Sequence, residues 1–151
     1  MPAGSEPAPP TLPRTWRPLG TTIAGVVASV TVLGAMVAAW LLLDAEIRAG
    51  FGFFQRITMV AMLAGAGAVL WGILRCRITA SVEGVVVVNG YRTYSYEWAQ
   101  VVAIRMPNGA PWATLDLSDG TARPVMGVQA SDGSRAFRAV REVRALIDRD
   151  A

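Results

Sequence analysis

The chain has 151 residues, of which 53% are hydrophobic and 17% are charged, and its net charge is +3. Soluble domains carry about 25% charged residues, so this composition favours a partly membrane-embedded protein with room for one small domain. The chain has no histidine and one cysteine. This excludes an internal disulfide framework, the usual zinc ligand sets and histidine-based acid–base catalysis.

The N-terminal segment predicts a disordered tail over residues 1–17. Up to Pro13 it is rich in Pro, Ala and Ser and holds one acid, Glu6. Such a segment cannot bury enough apolar surface to offset the entropy lost on ordering. We therefore expect no fixed structure before the first apolar segment.

Two long segments without charged residues follow, at 20–43 and 57–74. As helices they are about 36 Å and about 27 Å long, which suits a hydrocarbon core about 30 Å thick. We predict a transmembrane hairpin over 18–74, because aromatic residues and arginines at the ends of both segments fit the interfacial anchor pattern. A signal peptide cleaved near Ala38 and Ala39 is the alternative for the first segment, although the apolar run is longer than such peptides need.

The arginines predict the orientation of this hairpin. Arg14, Arg17, Arg75 and Arg77 flank its outer ends, whereas the connecting loop holds only Arg48 and Arg56. The arginine-rich side of a membrane protein is normally cytoplasmic. We therefore predict a multi-pass protein of the cell membrane with both termini in the cytoplasm.

Two further features of the apolar segments bear on their role. Small residues at four-residue spacing, such as Gly25 and Ser29, allow close helix approach, either within the hairpin or between copies of the chain. Neither segment contains an ionisable residue, which disfavours a transporter.

From Arg77 onward the pattern predicts β-strands. Ile78, Ala80 and Val82 alternate with polar residues, which is the period of a half-buried strand. Asn89-Gly90 predicts a hairpin with a type I′ turn. A one-turn step is expected at 98–100, and Pro124 indicates a bulge or an edge strand. Further strands are predicted at 85–88, 91–96, 101–106, 112–117 and 121–128.

A C-terminal helix is predicted from Ser131 to about Asp148, with Ser131 as its N-cap and Asp132 beside the helix dipole. Its apolar residues share one face, which predicts docking on a β core. About six antiparallel strands and one helix give an α+β roll or partly open barrel. The apolar face comprises Ala136, Ala139, Val140, Val143, Leu146 and Ile147.

Several stretches of this region together resemble a known family. They are Arg75-Cys76-Arg77, Ala80-Ser81-Val82-Glu83-Gly84-Val85, the run from Trp98 to Ile104, Pro107-Asn108-Gly109-Ala110-Pro111-Trp112 and Leu115-Asp116-Leu117. They are similar to the bacterial PH-like domain of small actinobacterial membrane proteins, the low-molecular-weight protein antigen family. The resemblance covers about 74–147. It implies a cytoplasmic PH-like domain over 75–151, a bent antiparallel sheet capped by the C-terminal helix, without established catalytic residues.

The resulting hypothesis is a non-enzymatic membrane protein that presents a PH-like domain at the inner membrane surface. Such sheets bind peptides at an edge strand or on an open face, so a protein-interaction or scaffold module is expected, with homo-oligomers as another outcome. Tyr94 and Tyr96 are the candidate partner-binding aromatics. Trp98 and Trp112 are interpreted as core residues.

Weak binding of anionic lipid head groups is the alternative function. Arg75, Arg77 and Arg92 would each contribute about 1 kcal/mol of non-specific attraction, unless they serve only as topology determinants. Lipid-binding PH domains hold phosphates in a basic loop between their first two strands. That connection is interpreted here as Glu83-Gly84, which is tight and acidic, so no phosphoinositide-specific site is expected.

Other functions lack the residues they need. Asp116, Asp119 and Asp132 fall in or beside predicted turns, where aspartate serves backbone hydrogen bonding. No basic stripe indicates nucleic-acid binding. We expect no enzyme activity, cofactor or metal site. Cys76 is interpreted as a spacer, with acylation as the alternative.

Overall fold

A computed structural model describes residues 10–150. These residues form two units: Thr21–Leu74 is one, and the residues up to Gly20 together with those from Arg75 onward are the other. The part of the predicted disordered tail that precedes residue 10 lies outside the described residues.

The first unit is helical. The apolar helices are α1 (Leu19–Leu42) and α3 (Phe53–Arg75), and the short helix α2 (Ala45–Gly50) lies between them in sequence. Both long helices match the predicted segments to within a few residues and are long and apolar enough to cross a membrane. In the most apolar stretch of α1 none of the residues is buried, and in that of α3 6% of them are buried. Most side chains of both helices are therefore exposed.

One of the predicted small-residue positions lies at a close approach of two helices. A Cβ atom added to Gly25 of α1 would lie 2.8 Å from Cδ1 of Leu70 on α3. Gly34 and Gly65 have nothing within 4 Å of an added Cβ. Close packing between α1 and α3 therefore involves Gly25, and the other two glycines face open space.

The second unit contains two antiparallel sheets. The first has the strand order β1-β2-β3-β4, and the second has the order β5-β6-β7. The first comprises Arg14–Trp16, Arg77–Ala80, Gly84–Asn89 and Arg92–Glu97, and the second comprises Val101–Arg105, Trp112–Leu117 and Ala122–Gln129. A 3-10 turn at Trp98–Gln100 joins the sheets, as predicted.

Helix α4 (Ser134–Asp150) covers the core between these sheets. All six residues of its predicted apolar face are buried, with exposures between 0% and 6%. They pack with strand residues such as Ile78, Val87, Ile104 and Leu115 in one hydrophobic cluster. The second unit is therefore an α+β domain in which bent sheets are capped by the C-terminal helix, consistent with a PH-like fold.

Strand β1 departs from the sequence-based expectation. Residues 14–16 are not part of a disordered tail: they pair antiparallel with β2, and Trp16 is 9% exposed. Burial of the indole stabilises the strand, an effect that the polar composition around it does not indicate. As a result, both apolar helices lie in sequence between the first two strands of one sheet. The connection between those strands is 17–76, and Glu83 belongs to the connection between β2 and β3.

The hairpin between β3 and β4 also differs from the prediction. Asn89 pairs with Arg92, so Gly90 and Tyr91 occupy the two central positions. Gly90 has a φ of +62°, and no described residue other than glycine has a positive φ. The turn is therefore of type II′ and not type I′, because type II′ has a positive φ only at its first central residue, here Gly90.

The turn between β2 and β3 contains a further difference from the prediction. Val82, which was predicted to face the core, lies in this turn and is 79% exposed.

The start of α4 differs as well. Residues 130–132 form a 3-10 turn, Gly133 follows with a φ of +54°, and α4 begins at Ser134. Ser131 is therefore not its N-cap. The Asp132 carboxylate instead accepts the N–H groups of Leu19 (2.9 Å) and Gly20 (2.7 Å), the first residues of α1.

Strand β7 contains Pro124, as the prediction of an edge strand or bulge requires. β7 is at the end of its sheet order, and the pairing register shifts between Trp112 and Ala113 of the neighbouring β6. An edge strand tolerates proline because one side of its backbone needs no hydrogen-bond partner within the sheet.

Candidate functional site

Tyr94 and Tyr96 lie on the face of β4 that points toward the core. Cross-strand partners share a sheet face, and these residues are opposite the buried Val87 and Val85. Both rings are half-buried and pack against the core cluster. The surface available to a partner at these two predicted residues is therefore limited to part of each ring.

Arg123 of β7 contacts both tyrosines. Its guanidinium lies 4.4 Å from the Tyr94 ring centroid, and its Nε donates a hydrogen bond of 3.0 Å to the Tyr96 hydroxyl. This hydrogen bond raises the pKa of Arg123 above its ordinary value. The three residues connect the two sheets. Sequence patterns did not indicate Arg123, because an arginine on an edge strand is normally a solvated residue.

Asn89 forms a second connection between the sheets. Its Nδ2 donates to the Pro124 carbonyl (2.6 Å), and its Oδ1 accepts the N–H of Met126 (3.0 Å). The amide side chain thus satisfies a donor and an acceptor of β7, an edge strand. In the sequence Asn89 precedes a glycine, which is typical of a turn, so its hydrogen bonds to the distant strand β7 could not be predicted.

The three arginines proposed for lipid contact do not all lie on one face of the domain. The Arg75 guanidinium lies 5.9 Å from the ring centroid of Tyr91, which is 61% exposed at the tip of the β3–β4 hairpin. Arg77 is opposite Val88, which is in turn opposite Thr93, the neighbour of Arg92. Because successive strand residues face opposite sides of a sheet, Arg77 and Arg92 project from opposite faces.

Cys76 lies beneath the same hairpin. Its side chain is 4% exposed, and its Sγ accepts the N–H of Gly90 at 3.2 Å. The thiol thus contacts the hairpin backbone and is shielded from solvent.

A concavity of about 750 Å³ lies where β3 and β4 meet the 3-10 turn. Two carboxylates, Glu83 and Glu97, line it together with the half-buried Trp98. The Trp98 indole donates to the Ser81 carbonyl at 3.0 Å and packs against the core, in agreement with its predicted core role. None of the lining residues is basic. They are Ser81, Glu83, Gly84, Val85, Val86, Ser95, Tyr96, Glu97, Trp98, Ala99 and Gln100.

Trp112 differs from Trp98. It was expected in the core, but it is 37% exposed at the start of β6. Ala113, Leu115 and Leu117 are the buried residues of β6, and because side chains alternate along a strand, Trp112 lies on the opposite, outer face.

The three aspartates considered for catalysis occupy separate places. Asp116 forms an ion pair with Arg105: its Oδ1 accepts a hydrogen bond from Nη2 of Arg105 at 2.7 Å, and its Oδ2 lies 2.5 Å from Nε. The hydrogen bond and the negative charge of Asp116 raise the pKa of Arg105 above its ordinary value. Asp119 accepts the hydroxyl (2.7 Å) and the N–H (2.8 Å) of Thr121, and Asp132 binds the start of α1. Within residues 10–150 no group of three or more acidic or cysteine side chains is placed to hold a metal.

Comparisons with known proteins agree with this fold. Residues 75–146 match a family model described as a bacterial PH domain. Uncharacterized proteins of Mycobacterium tuberculosis strains H37Rv and CDC 1551 and of Mycobacterium bovis are 35% identical over 137 residues, covering 88% of this chain and 87% of each relative. No solved structure matches the chain. The predicted resemblance is thus confirmed for the domain.

Proposed function

The chain belongs to the family of these mycobacterial proteins and contains a bacterial PH domain, and on this basis we propose that it is a non-enzymatic integral membrane protein. It presents the PH-like domain at the cytoplasmic face of the cell membrane, where the domain acts as a protein-interaction or scaffold module. Both termini lie in the cytoplasm.

The exposure of the two long helices supports insertion into a bilayer. A core helix of a soluble protein is mostly buried, whereas only 0% and 6% of the residues in the apolar stretches of α1 and α3 are buried. Exposed apolar side chains along both helices include Val27, Val30, Leu41, Val60 and Val69, each between 59% and 67% exposed. An apolar surface of this extent in water would drive association, and lipid removes that cost.

The pairing of β1 with β2 is the observation that supports a two-span topology. If α1 and α3 cross the bilayer, the strands before and after them must lie on one side, because they hydrogen-bond to each other. The hairpin topology then follows without reference to the arginines. The pairing also disfavours cleavage after α1, since cleavage would remove a strand whose Trp16 is part of the core. The arginine distribution supports the cytoplasm as the side concerned.

Cysteine accessibility tests this proposal. In a Cys76→Ser background, Gly50→Cys places a thiol in the loop between the spans, and Asp148→Cys places one on α4. A membrane-impermeant maleimide should label the Gly50→Cys protein in intact cells and the Asp148→Cys protein only after permeabilisation. The Cys76→Ser protein without a new cysteine is the matched control. Labelling of Asp148→Cys in intact cells would place the domain outside and remove a cytoplasmic partner.

Contact with anionic lipid is the second candidate function, and the position of Tyr91 supports it. This exposed ring stacks with Arg75, the last residue of α3, so an aromatic and a cation meet at the end of the second span. Tyrosine and arginine are favoured at the level of the lipid head groups. The divergence of Arg77 and Arg92 argues for non-specific attraction rather than multidentate phosphate binding.

Nanodiscs of different charge test the lipid contact. Hydrogen exchange of the Gly90 and Tyr91 amides should slow in phosphatidylglycerol nanodiscs relative to phosphatidylcholine nanodiscs, and added salt should reduce the difference. Arg75→Gln should remove it, whereas Arg149→Gln, on α4, should not. Equal exchange in both lipids would exclude the contact.

A further inference from the structure

The outer edge of β4 presents unpaired backbone groups. β4 is at the end of its sheet order, so no neighbouring strand covers this edge within residues 10–150. The Glu97 N–H donates to the Gln100 side chain (3.0 Å), and the Gly84 carbonyl accepts from Ser81 (2.8 Å). Glu97 and Gly84 are therefore a pair without mutual hydrogen bonds, although they lie opposite each other.

The alternation of an antiparallel ladder then fixes the directions along the strand. Tyr96 and Tyr94 bond to β3, whereas the N–H and C=O groups of Ser95 and Thr93 point away from it. Both side chains are exposed and uncharged. Natural edge strands are commonly blocked by charges, prolines or bulges, and none of these occurs at Thr93, Tyr94 or Ser95. This part of the edge can accept an added strand.

The concavity described above adjoins that edge. Ser95 and Glu97 belong both to β4 and to the lining, so a strand added along β4 would carry its side chains past the concavity. Glu83 and Glu97 supply two negative charges there, and Trp98 supplies an aromatic surface. Carboxylates beside an aromatic ring favour a guanidinium or ammonium group.

We infer that the β4 edge and this concavity form a docking site for an extended, cationic peptide segment of a partner protein. The segment adds as a strand at Thr93 and Ser95 and places an arginine or lysine side chain between Glu83, Glu97 and Trp98. This inference rests on the proposed interaction function and specifies its site and the chemistry of its partner.

The position of the site suits a soluble partner. The other end of β4 lies at the hairpin beside Arg75 and Cys76, where α3 ends. A strand from Arg92 to Glu97 is about 17 Å long, so Glu97, in the lining of the concavity, lies about that distance from the hairpin along the strand. The acidic end is therefore separate from Arg75 and Arg77, which attract anionic surfaces.

A pair of synthetic peptides tests the inference. One is a labelled, end-blocked heptapeptide of alternating Thr and Val with a central Arg, and the other has citrulline, which is uncharged and of similar shape, in place of Arg. With the full chain in nanodiscs, fluorescence anisotropy should show about fivefold tighter binding of the Arg peptide. Bound peptide should slow hydrogen exchange at the Thr93 and Ser95 amides.

Three variants separate the two parts of the site. Glu97→Gln should remove the preference for Arg, whereas Asp148→Asn, an exposed carboxylate on α4, should keep it. Ser95→Pro should weaken both peptides, because it removes an outward N–H that no neighbouring strand uses. Glu83→Gln provides a second charge test if Glu97→Gln disturbs the 3-10 turn.

Equal binding of the two peptides, or unchanged binding by Ser95→Pro, would overturn the inference. These results would not affect the proposed function, because the peptides are added to nanodiscs that expose both faces. Conversely, an external location of Asp148→Cys would remove the cytoplasmic role and leave the peptide result standing.

Discussion

Glu142 on the C-terminal helix accepts a hydrogen bond of 2.8 Å from the indole of Trp16, on the strand that precedes both apolar helices. Arg14, on the same strand, lies 3.2 Å from the same carboxylate. The N-terminal strand is thus joined to the last helix as well as to β2. The β domain includes chain segments from both sides of the apolar hairpin.

The Trp16 contact gives the first prediction. Trp16→Ala should lower the free energy of unfolding by about 3–5 kcal/mol, because a large buried side chain leaves a cavity. Trp16→Phe keeps most of the apolar volume and should cost about 1 kcal/mol through loss of the hydrogen bond. Denaturant unfolding of the full chain in detergent, followed by circular dichroism, measures both.

A double-mutant cycle with Glu142→Gln checks the cause. The substituted amide would keep an acceptor for the indole and lose the charge facing Arg14, so Glu142→Gln alone should have a small effect. Trp16→Phe and Glu142→Gln change the two partners of one hydrogen bond, so their effects on stability should not be additive. If Trp16→Ala left stability unchanged, β1 would not belong to the folded domain.

The Asn89 bridge gives the second prediction. Asn89→Ala should destabilise the domain by about 1–3 kcal/mol, because the Pro124 carbonyl and the Met126 N–H both lose their partner. Asn89→Asp should be similarly harmful, since a carboxylate cannot donate to Pro124. Asn108→Ala, in the exposed loop before β6, is the matched control and should have little effect. Equal stability of Asn89→Ala and Asn108→Ala would refute the bridge.

Gly127 gives the third prediction. A Cβ atom there would lie 2.6 Å from the Arg77 Cα and 2.7 Å from the Ile78 backbone nitrogen. Since the atoms it meets belong to the backbone of β2, Gly127→Ala should cost about 1–3 kcal/mol by forcing β7 and β2 apart. Gly50→Ala, where nothing lies within 4 Å, should be close to neutral. Comparable unfolding midpoints for the two variants would exclude this close approach.

The fourth prediction concerns pH. The Thr121 hydroxyl and then its N–H bond to Asp119 and hold the pKa of this carboxyl below its ordinary value of 3.8. A carboxyl whose pKa is lower in the folded state stabilises the fold above 3.8, and this contribution is lost as pH falls through the folded pKa.

NMR titration of the Asp119 side chain measures this directly. Thr121→Val should move the pKa of Asp119 upward toward its ordinary value, because the hydroxyl donor is lost. Asp119→Asn should remove this part of the acid sensitivity, whereas Asp148→Asn should leave it. An Asp119 pKa that is insensitive to Thr121→Val would show that the hydroxyl contact does not form in solution.

The two apolar segments, the strand positions after Arg77 and the buried face of α4 were predictable from the sequence. Each depends on local periodicity: a long uncharged run, alternation of period two, or an apolar stripe at helical spacing. Residues such as Val143 and Leu146 are buried where that stripe places them. The family resemblance followed from the same region and agrees with the matched residues 75–146.

Contacts between distant parts of the chain could not be predicted in this way. Three of these contacts join residues that are far apart in the chain. Trp16 and Glu142 are 126 residues apart, and Asn89 is 35 to 37 residues from its partners in β7. Arg123 is at least 27 residues from the two tyrosines that it contacts. Local turn and cap rules applied to Asn89 and Ser131, but the Asn89 side chain bonds to the distant strand β7, and α4 begins only at Ser134.

The sequence by itself determined that two apolar helices are followed by β-strands and an amphipathic helix, because hydrophobic periodicity depends only on near neighbours in the chain. The tertiary structure alone decided that the hairpin is inserted between two paired strands, and that the outer edge of β4 is open beside an acidic concavity. Strand pairing depends on which distant backbone groups meet, and composition does not specify that choice.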